Sequence, residues 1–542
     1  METIIQSDNP FTQEQVKEGV LSWPKSLAMC KRRSALFESL QKDIQKNPDL
    51  TSDFKQITSL TKELESLLRE PTATELEGYS QVIFTGSPWS GLNSLPFALI
   101  LLSLYKSYIV PAFGVILPFL TWILPYIFLK AFFSMPITFT QYSKVLWGLW
   151  NGNLTMPKTP ADFASVSTAI PASGSGGLGQ LKTLTQNGWT LFTIAQGIYH
   201  PIQQARHFIR LESDCLTLAK SVCSVKEIAQ KFLLHWKKYL APWLPKWIDL
   251  CPTDLRRAFA YVIESPFWLK QTLRALGRFE VIWSLANRSD IVPVKFISSD
   301  RPVLMLKGIG DTSITQSNRV LSNLSLGTGG QTRSQNEHFP TVGQTRSQNE
   351  HFPTRQSLVG QTHAIVTGPN RGGKSSFMRS VYTSVCLAHA FGCSVGEKAV
   401  MTPIAWIANG LRLDDTPGKE SMFEREVSFA SGVLMKGAQT TDGFGLVLYD
   451  ELFHSTNPPD ATRTSNLFCS ELWKQKNTLS IVSTHVYSLA NEAPAESVKK
   501  LCLASWREKN KYIFSYKVMS GVCEVSSVDL LLKKHRGFHC VF

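Results

Sequence analysis

The chain has 542 residues, too long for one compact hydrophobic core, so about two to four domains are expected. Hydrophobic residues make up 43% and charged residues 18%, a globular, apolar-leaning composition, and the formal charge of +14 favours polyanionic partners, nucleic acid or an anionic membrane face. Ten cysteines run from Cys30 to Cys540 with neither a C-x-x-C pair nor metal-ligand spacing, which excludes a disulfide framework and points to free thiols in a reducing compartment. The first residues, METIIQSDNPFTQEQ, lack a basic start followed by an apolar run, so no secretory signal is expected.

In chain order, residues 1–90 form an N-terminal helical region. Val16, Val20 and Leu21, then Leu60, Leu64, Leu67 and Leu68, recur at helical spacing, with Pro24 and Pro71 as breaks. Residues 91–150 are an apolar segment. No charge occurs across 107–129 (SYIVPAFGVILPFLTWILPYIFL), long enough to cross a hydrocarbon core that needs about 20 apolar residues. Lys106 and Lys130 bracket it and can snorkel, while Tyr108, Trp122 and Tyr126 are rings of the kind found at membrane interfaces. Residues 95–105 could form the first leg of a membrane hairpin; the alternative is a buried apolar helix or hairpin. Pro111, Pro118 and Pro125 would share one helix face, which an ordinary straight soluble helix disfavours.

Residues 151–300 read as a helical, lever-like core behind a flexible link, ASGSGGLG, at 172–179. KKYLAPWLPKW at 237–247 interleaves basic and aromatic residues, which suits a phosphate backbone or a membrane surface, or an ordinary exposed helix face. Residues 301–542 form an α/β domain. Within it GQTRSQNEHFPT stands at 330–341 and again at 343–354, a duplicated surface insertion whose His338 and His351 are explained by the duplication and not by a metal site.

The chemistry concentrates at THAIVTGPNRGGKSSFMR. A buried strand at 364–367, a loop GPNRGGKS and a helix from Ser375 fit G-x-x-x-x-G-K-[ST] with Gly368, Gly373, Lys374 and Ser375. The glycines turn backbone N–H groups inward at a helix N-terminus, Lys374 reaches β- and γ-phosphates, and the Ser375 hydroxyl can ligate Mg²⁺. Next, GLVLYDELFHST places Asp450 and Glu451 at a strand tip, the acid pair that holds Mg²⁺ and polarises the attacking water. A third strand, LSIVSTHV, leads to His485, which could sense the γ-phosphate or steady the water.

Together these elements resemble the MutS family of DNA mismatch-repair ATPases. TGPNRGGKSSFMR is similar to the family's T-G-P-N-x-G-G-K-S-[ST]-x-[ML]-R, GKESMFEREVSFASGVL to its G-x-S-[TM]-F-x-x-E segment, DELFHSTNPPDA to its D-E-[IL]-G-x-G-T loop, and STHV to its [AS]-T-H. LGRFEVIWSLANRSDIVPVKF resembles the end of the family's helical core, and RPVLMLKGIGD and SNLSLG would be strands before the loop. The L-S-G-G-Q of transporter ATPases is not found. The resemblance implies a P-loop ATPase of ABC type with ATP and Mg²⁺ as cofactors. Gly368, Pro369, Asn370, Gly372, Gly373, Lys374, Ser375 and Ser376 would bind nucleotide, and Ser375 and Asp450 the metal; Lys374, Glu451 and His485 would act in catalysis. Ser421 would complete a partner's site in trans, because family members work as dimers, here a homodimer or a heterodimer.

The chain departs from the family where Phe453 and Ser455 replace glycines and Pro458 and Pro459 follow, so subunit communication and hydrolysis rate can differ. The F-x-E of a mismatch-reading domain is not found either. The expectation is therefore an intracellular, membrane-associated ATPase, its catalytic domain on the cytosolic side, acting on double-stranded or branched DNA. The alternatives are a membrane-coupled dimerising motor working on a protein or membrane partner without DNA, and a nucleotide-binding scaffold without turnover.

Overall fold

The computed structural model describes residues 4–150, 177–327, 360–411, 421–508 and 511–523, apart from positions 6, 25, 47, 48 and 87. The duplicated insertion, residues 172–176 of the link, and Gly418 lie outside the described residues, as do the side chains of Pro118 and Trp122. The helices are α1 (Pro10–Leu21), α2 (Leu27–Ile44), α3 (Thr51–Glu63), α4 (Glu65–Leu68), α5 (Ala73–Val82), α6 (Pro96–Leu104), α7 (Val110–Phe132), α8 (Phe139–Trp150), α9 (Gly177–Leu240), α10 (Trp247–Leu250), α11 (Leu255–Glu264) and α12 (Pro266–Ala286). The C-terminal half alternates β1 (Ile291–Phe296), β2 (Leu304–Ile309), β3 (Ser322–Leu326), β4 (His363–Thr367), α13 (Lys374–Phe391), β5 (Cys393–Val395), β6 (Lys398–Met401), β7 (Ile404–Gly410), α14 (Met422–Gln439), β8 (Phe444–Tyr449), α15 (Pro458–Leu472), β9 (Thr478–Ser483), α16 (Tyr487–Glu492), β10 (Val498–Glu508) and β11 (Lys511–Ser520). The chain thus combines a helical region with C-terminal α/β sheets.

Contacts divide it discontinuously into two compact units. One unit takes residues 1–55, 233–244 and 273–542; the other takes 56–232 and 245–272.

In the first unit a six-stranded sheet runs β11-β10-β4-β9-β8-β7, and a five-stranded sheet runs β3-β2-β6-β1-β5. From β10 to β7 the larger sheet is parallel, with β11 added antiparallel on β10. Every residue of β4 and β9 is buried, which is why HAIVT and TLSIVS read as continuous runs without alternation: helices cover a parallel sheet on both faces. Each fully buried Ile, Leu or Val side chain there is worth roughly 1.5–3 kcal/mol.

Helices α1 and α2 belong to this unit. Ser34 Oγ donates to Val294 O at 2.5 Å, and Arg33 Nη1 donates to His389 O and Ala390 O, the last carbonyls of α13. Such a cation satisfies orphan C=O groups and complements the negative end of the helix. The Trp23 ring stacks on His389 with centroids 4.4 Å apart. Glu280, buried on α12, accepts hydrogen bonds from Ser7 Oγ and Thr12 Oγ1 and pins the start of α1.

In the second unit Asn93 holds Glu264 at 2.7 Å and closes on the backbone of Phe84, and Arg256 pairs with Glu212 at 2.8 Å. Residues 95–105 do not make a first hairpin leg. α6 passes without a turn into α7 through a π-helical turn, Tyr105–Ile109, where Val110 N–H bonds Tyr105 O. This wider turn lies directly before Pro111, whose ring would clash with a carbonyl in a tighter one. The chain reverses after Phe132 instead: Tyr126 on α7 meets Phe139 and Tyr142 of α8, with centroids 5.3 and 5.4 Å apart. Gly114 lies so close to Pro201 that an added Cβ would sit 2.8 Å from its Cγ.

The segment 237–247 also differs from the expectation of a basic, aromatic binding surface. Tyr239 and Trp247 are buried core rings, and the half-buried Trp243 is covered by the Arg278 guanidinium at 4.5 Å.

Candidate functional site

Three adjacent parallel strands, β4, β9 and β8, bring the sequence-predicted residues together at their carboxyl ends. Val366 is in register with Ser483, and Tyr449 with Val482. The chain leaving each strand tip therefore enters one crevice, the usual place for a ligand in an open α/β sheet. From β4 comes the loop 368–373, from β8 the pair Asp450–Glu451, and from the end of β9 His485. The last strand stops at Ser483, short of the 479–486 expected, so His485 stands on a loop.

The glycines have a backbone reason. Gly368 has φ +149° and Gly373, the N-cap of α13, has φ +100°, a region where a Cβ is strained. A Cβ on Gly373 would also press within 3.3 Å of the Tyr516 ring. Beyond Gly373 the first N–H groups of α13 have no acceptor inside the helix and face the crevice with the positive end of its dipole. A cavity of about 320 Å³ opens here, lined by Pro369, Asn370, Gly372, Gly373, Lys374, Ser375, Ser376, Glu451 and Tyr516 among others.

Lys374 is buried at the centre. Its Nζ donates to Gly368 O at 2.9 Å and to Pro369 O at 3.3 Å, and stands 3.2 Å from His485 Nε2. Burial lowers its pKa, opposed by the charges of Glu451 and Asp450. Ser376 Oγ accepts from Arg379 at 3.0 Å, and Arg379 in turn grips Asp311 with two nitrogens at 2.9 and 3.1 Å.

The acidic pair is held from β9. Ser483 Oγ donates to Asp450 Oδ1 at 2.5 Å and accepts from Glu451 N at 2.8 Å. Glu451 has φ +51°, and the Glu451 and His485 side chains lie 3.8 Å apart, both partly open to solvent. The His485 ring holds the Glu451 carboxyl below the ordinary carboxylate range, helped by Lys374 and His454 and opposed by partial burial. Phe453, which replaces a family glycine, keeps a glycine-like φ of +48° and buries its ring among Phe423, Tyr449 and Phe468.

Ser421 is exposed at the N-terminus of α14, where its hydroxyl accepts from Glu424 N in a capping box. It does not line the cavity, whose described walls come from the other residues. Three site residues escaped the sequence reading: Tyr516, Asp311 and Ser483. Tyr516, with φ +56°, lies far along the chain in a hairpin without a motif, and only the β10–β4 pairing brings it to the loop. Ser483 could have been noticed as the residue closing the buried run before the histidine.

Residues 364–531 match the family model described as MutS domain V. The chain is 29% identical over 164 residues to the DNA mismatch repair protein spellchecker 1 of Drosophila melanogaster. It is 31% identical over 172 residues to the DNA mismatch repair protein Msh6 of Gallus gallus, and 26% over 165 residues to the DNA mismatch repair protein MutS of Geobacillus sp. (strain WCH70). Each match covers 30% of this chain but only 17%, 12% and 19% of the respective relative. The glycine-rich loop, the acidic strand tip and the segment similar to MutS domain V coincide, and the chain spans less than a fifth of the length of each of these relatives.

Proposed function

We propose that the chain is a divergent MutS-type ATPase, membrane-associated, that couples ATP hydrolysis to work on double-stranded or branched DNA. The observation that carries the reading is the convergence of the loop 368–376, Asp450–Glu451 and His485 on one crevice at the ends of three neighbouring strands. In this reading 368–376 is a P-loop. Its N–H groups take the β- and γ-phosphates, and Lys374 leaves the carbonyls of Gly368 and Pro369 for phosphate oxygens. The fit is chemical: a buried ammonium resting on loop carbonyls, beside a helix N-terminus and a glycine cradle that a Cβ would obstruct, suits a polyanion.

Ser375 and Asp450 would hold Mg²⁺, which when bound supplies charge neutralisation of the phosphate oxygens. Ser483 fixes the rotamer of Asp450. Glu451, kept ionised by its neighbours, accepts a proton from the attacking water, while His485 stands between that acid and Lys374. Tyr516 offers a half-exposed aromatic face at the mouth, suited to a nucleobase. Ser421 would complete the site of a second subunit, in a homodimer or heterodimer.

Membrane association is supported by the continuous apolar run of α6 and α7. Pro96–Leu117 is long and apolar enough to span and little of it is buried, and Ile123–Phe132 continues the apolar character. Framed instead on the uncharged residues 107–129, the segment carries Lys106 and Lys130 at its two ends, about 36 Å of helix apart and close to the hydrocarbon thickness with its interfaces. The proposed topology keeps the ATPase unit in the cytosol. The DNA part is supported by the similarity to DNA mismatch repair proteins and by the +14 charge. The second reading, a membrane-coupled motor without DNA, is favoured by the same apolar helix together with the lack of a recognised mismatch-reading motif.

The test is ATP hydrolysis by the detergent-solubilised full chain, alone and with matched or mismatched duplex. Lys374→Ala should cut turnover roughly 100-fold or more, as loss of a preorganised charge on the transition state does. Stimulation by duplex that disappears in the variant supports the DNA reading. Turnover indifferent to every DNA moves the function to the membrane-coupled motor, and turnover unchanged by the variant removes the site assignment.

A further inference from the structure

Behind the Asp450–Glu451 turn lies a polar contact that the proposed chemistry does not use. Glu426, on α14, has a fully buried side chain. Its Oε2 accepts from Ser455 Oγ at 2.5 Å, and its Oε1 lies 2.9 Å from His454 Nδ1. That same Nδ1 is 3.1 Å from the carbonyl oxygen of Glu451. Both partners sit on the segment that follows the acid pair, and Ser455 stands where the family pattern has glycine, which has no side chain to reach a carboxylate.

A buried carboxylate is costly unless it is paired and hydrogen-bonded. Here Ser455 satisfies Oε2, while Oε1 has no hydrogen-bond donor and only the His454 ring beside it, and that ring reaches the backbone of Glu451. His454 Nδ1 donates to the Glu451 carbonyl while its ring stands against Glu426, and Glu451 adopts φ +51°, which persists in a non-glycine residue only when its surroundings impose it. From the other side Ser483 grips the Glu451 amide. The charged groups facing His454 are Glu426 from α14 and Glu451 from its own loop. Along α14, Glu426 lies five residues from Ser421, so the contact joins the helix that would meet a partner subunit to the acid that would activate water.

We propose that Glu426 is a positioning residue for Glu451, acting through His454 and Ser455. It touches neither nucleotide nor water; it sets where the Glu451 carboxylate stands and ties that position to α14. The inference rests on the ATPase reading above.

The experiment compares Glu426→Gln, His454→Asn and their double variant in the detergent-solubilised full chain. Steady-state ATP turnover is measured against pH, and backbone hydrogen exchange across 450–457 is followed in parallel. A displaced acid should lower kcat about tenfold to a hundredfold while KM for ATP stays within about twofold, because geometry at the reacting centre is lost and nucleotide binding is not. The double variant should fall no further than the worse single one, since both changes break one contact. Glu426→Gln should also alter the pH profile of kcat and speed exchange at Glu451 to Ser455. Wild-type turnover and pH profile in both single variants overturn the proposal, as does a joint loss of kcat and KM with unchanged exchange. If the wild-type chain hydrolyses no ATP, the ATPase reading fails by itself; the exchange result then decides, faster exchange supporting the contact and unchanged exchange refuting it.

Discussion

Two stretches of this chain are apolar, and they meet opposite fates. The strands β4 and β9 bury every residue inside the first unit, whereas α6 and α7 leave Phe97, Leu101, Leu104, Phe113, Leu124 and Phe128 exposed in the second. Both look alike as hydrophobic runs. The difference is length and backbone demand. A five- or six-residue strand satisfies its N–H and C=O groups only through neighbouring strands, so it is buried wherever a sheet forms. A long helix satisfies its own backbone and can present its side chains to whatever apolar medium is at hand. Hydrophobicity therefore specifies burial for the strands, but for the helix it specifies only a need for an apolar neighbour.

The most decisive way to break that comparison is to place charge on the helix. In the proposed membrane reading, Phe113→Arg with Leu124→Arg costs about 2.5–3.5 kcal/mol per arginine at the bilayer centre by insertion scales. Alkaline carbonate extraction should then move the chain from pellet to supernatant. A double variant that stays in the pellet, or a wild type that leaves it, would sink the membrane assignment.

A smaller effect sharpens the other side, the packed sheet unit. Phe453 combines a buried ring with φ +48°. Phe453→Ala should cost about 3–5 kcal/mol in chemical denaturation through the cavity it leaves. Phe453→Gly loses the same ring but relieves the left-handed backbone, so it should cost about 1 kcal/mol less than the alanine variant, the reverse of the usual ranking. Equal losses would mean that the backbone there is not strained.

The smallest expected effect tests how dry that unit is. His389 accepts from Ile404 N–H through Nε2 at 2.9 Å and uses Nδ1 toward Val385 O at 3.0 Å, so the neutral tautomer is built in. Burial first, with the nearby Arg33 charge, pushes the ring down to about 4, and burial holds His363 at about 4 too. Unfolded histidine titrates near 6.5. Between those values the unfolded chain binds protons that the folded chain refuses, so stability is full above about 6.5 and falls as pH drops toward 4, by on the order of 3 kcal/mol per ring. His389→Gln should flatten the fall of Tm across that window, leaving the part due to His363. An unchanged slope would place the acid sensitivity elsewhere.

Much of the site could be read before any fold was known, because its chemistry is local. The loop GPNRGGKS, the pair Asp450–Glu451 and His485 each sit within a few residues of a buried apolar run, and a strand tip is where such residues are useful. Tyr516, Asp311 and the Glu426–His454–Ser455 contact were not legible: each acquires meaning only from a neighbour distant in sequence. Nor could composition tell that Tyr239 and Trp247 are core, or that residues 95–105 run straight on into α7, since helical periodicity says which residues share a face and not what that face meets.

By itself the sequence determined the elements whose hydrogen bonds or dihedral needs are local: the long helices, the glycine-dependent loop, the buried parallel strands and the residues at their tips. Tertiary structure alone decided what depends on nonlocal packing. It set the strand order that puts β4 between β9 and β10, recruited helices α1 and α2 into the sheet unit, and held Glu451 through Ser483 and the buried Glu426 contact. The physical reason is that backbone conformation is written in short stretches of chain, while burial and charge pairing exist only between stretches.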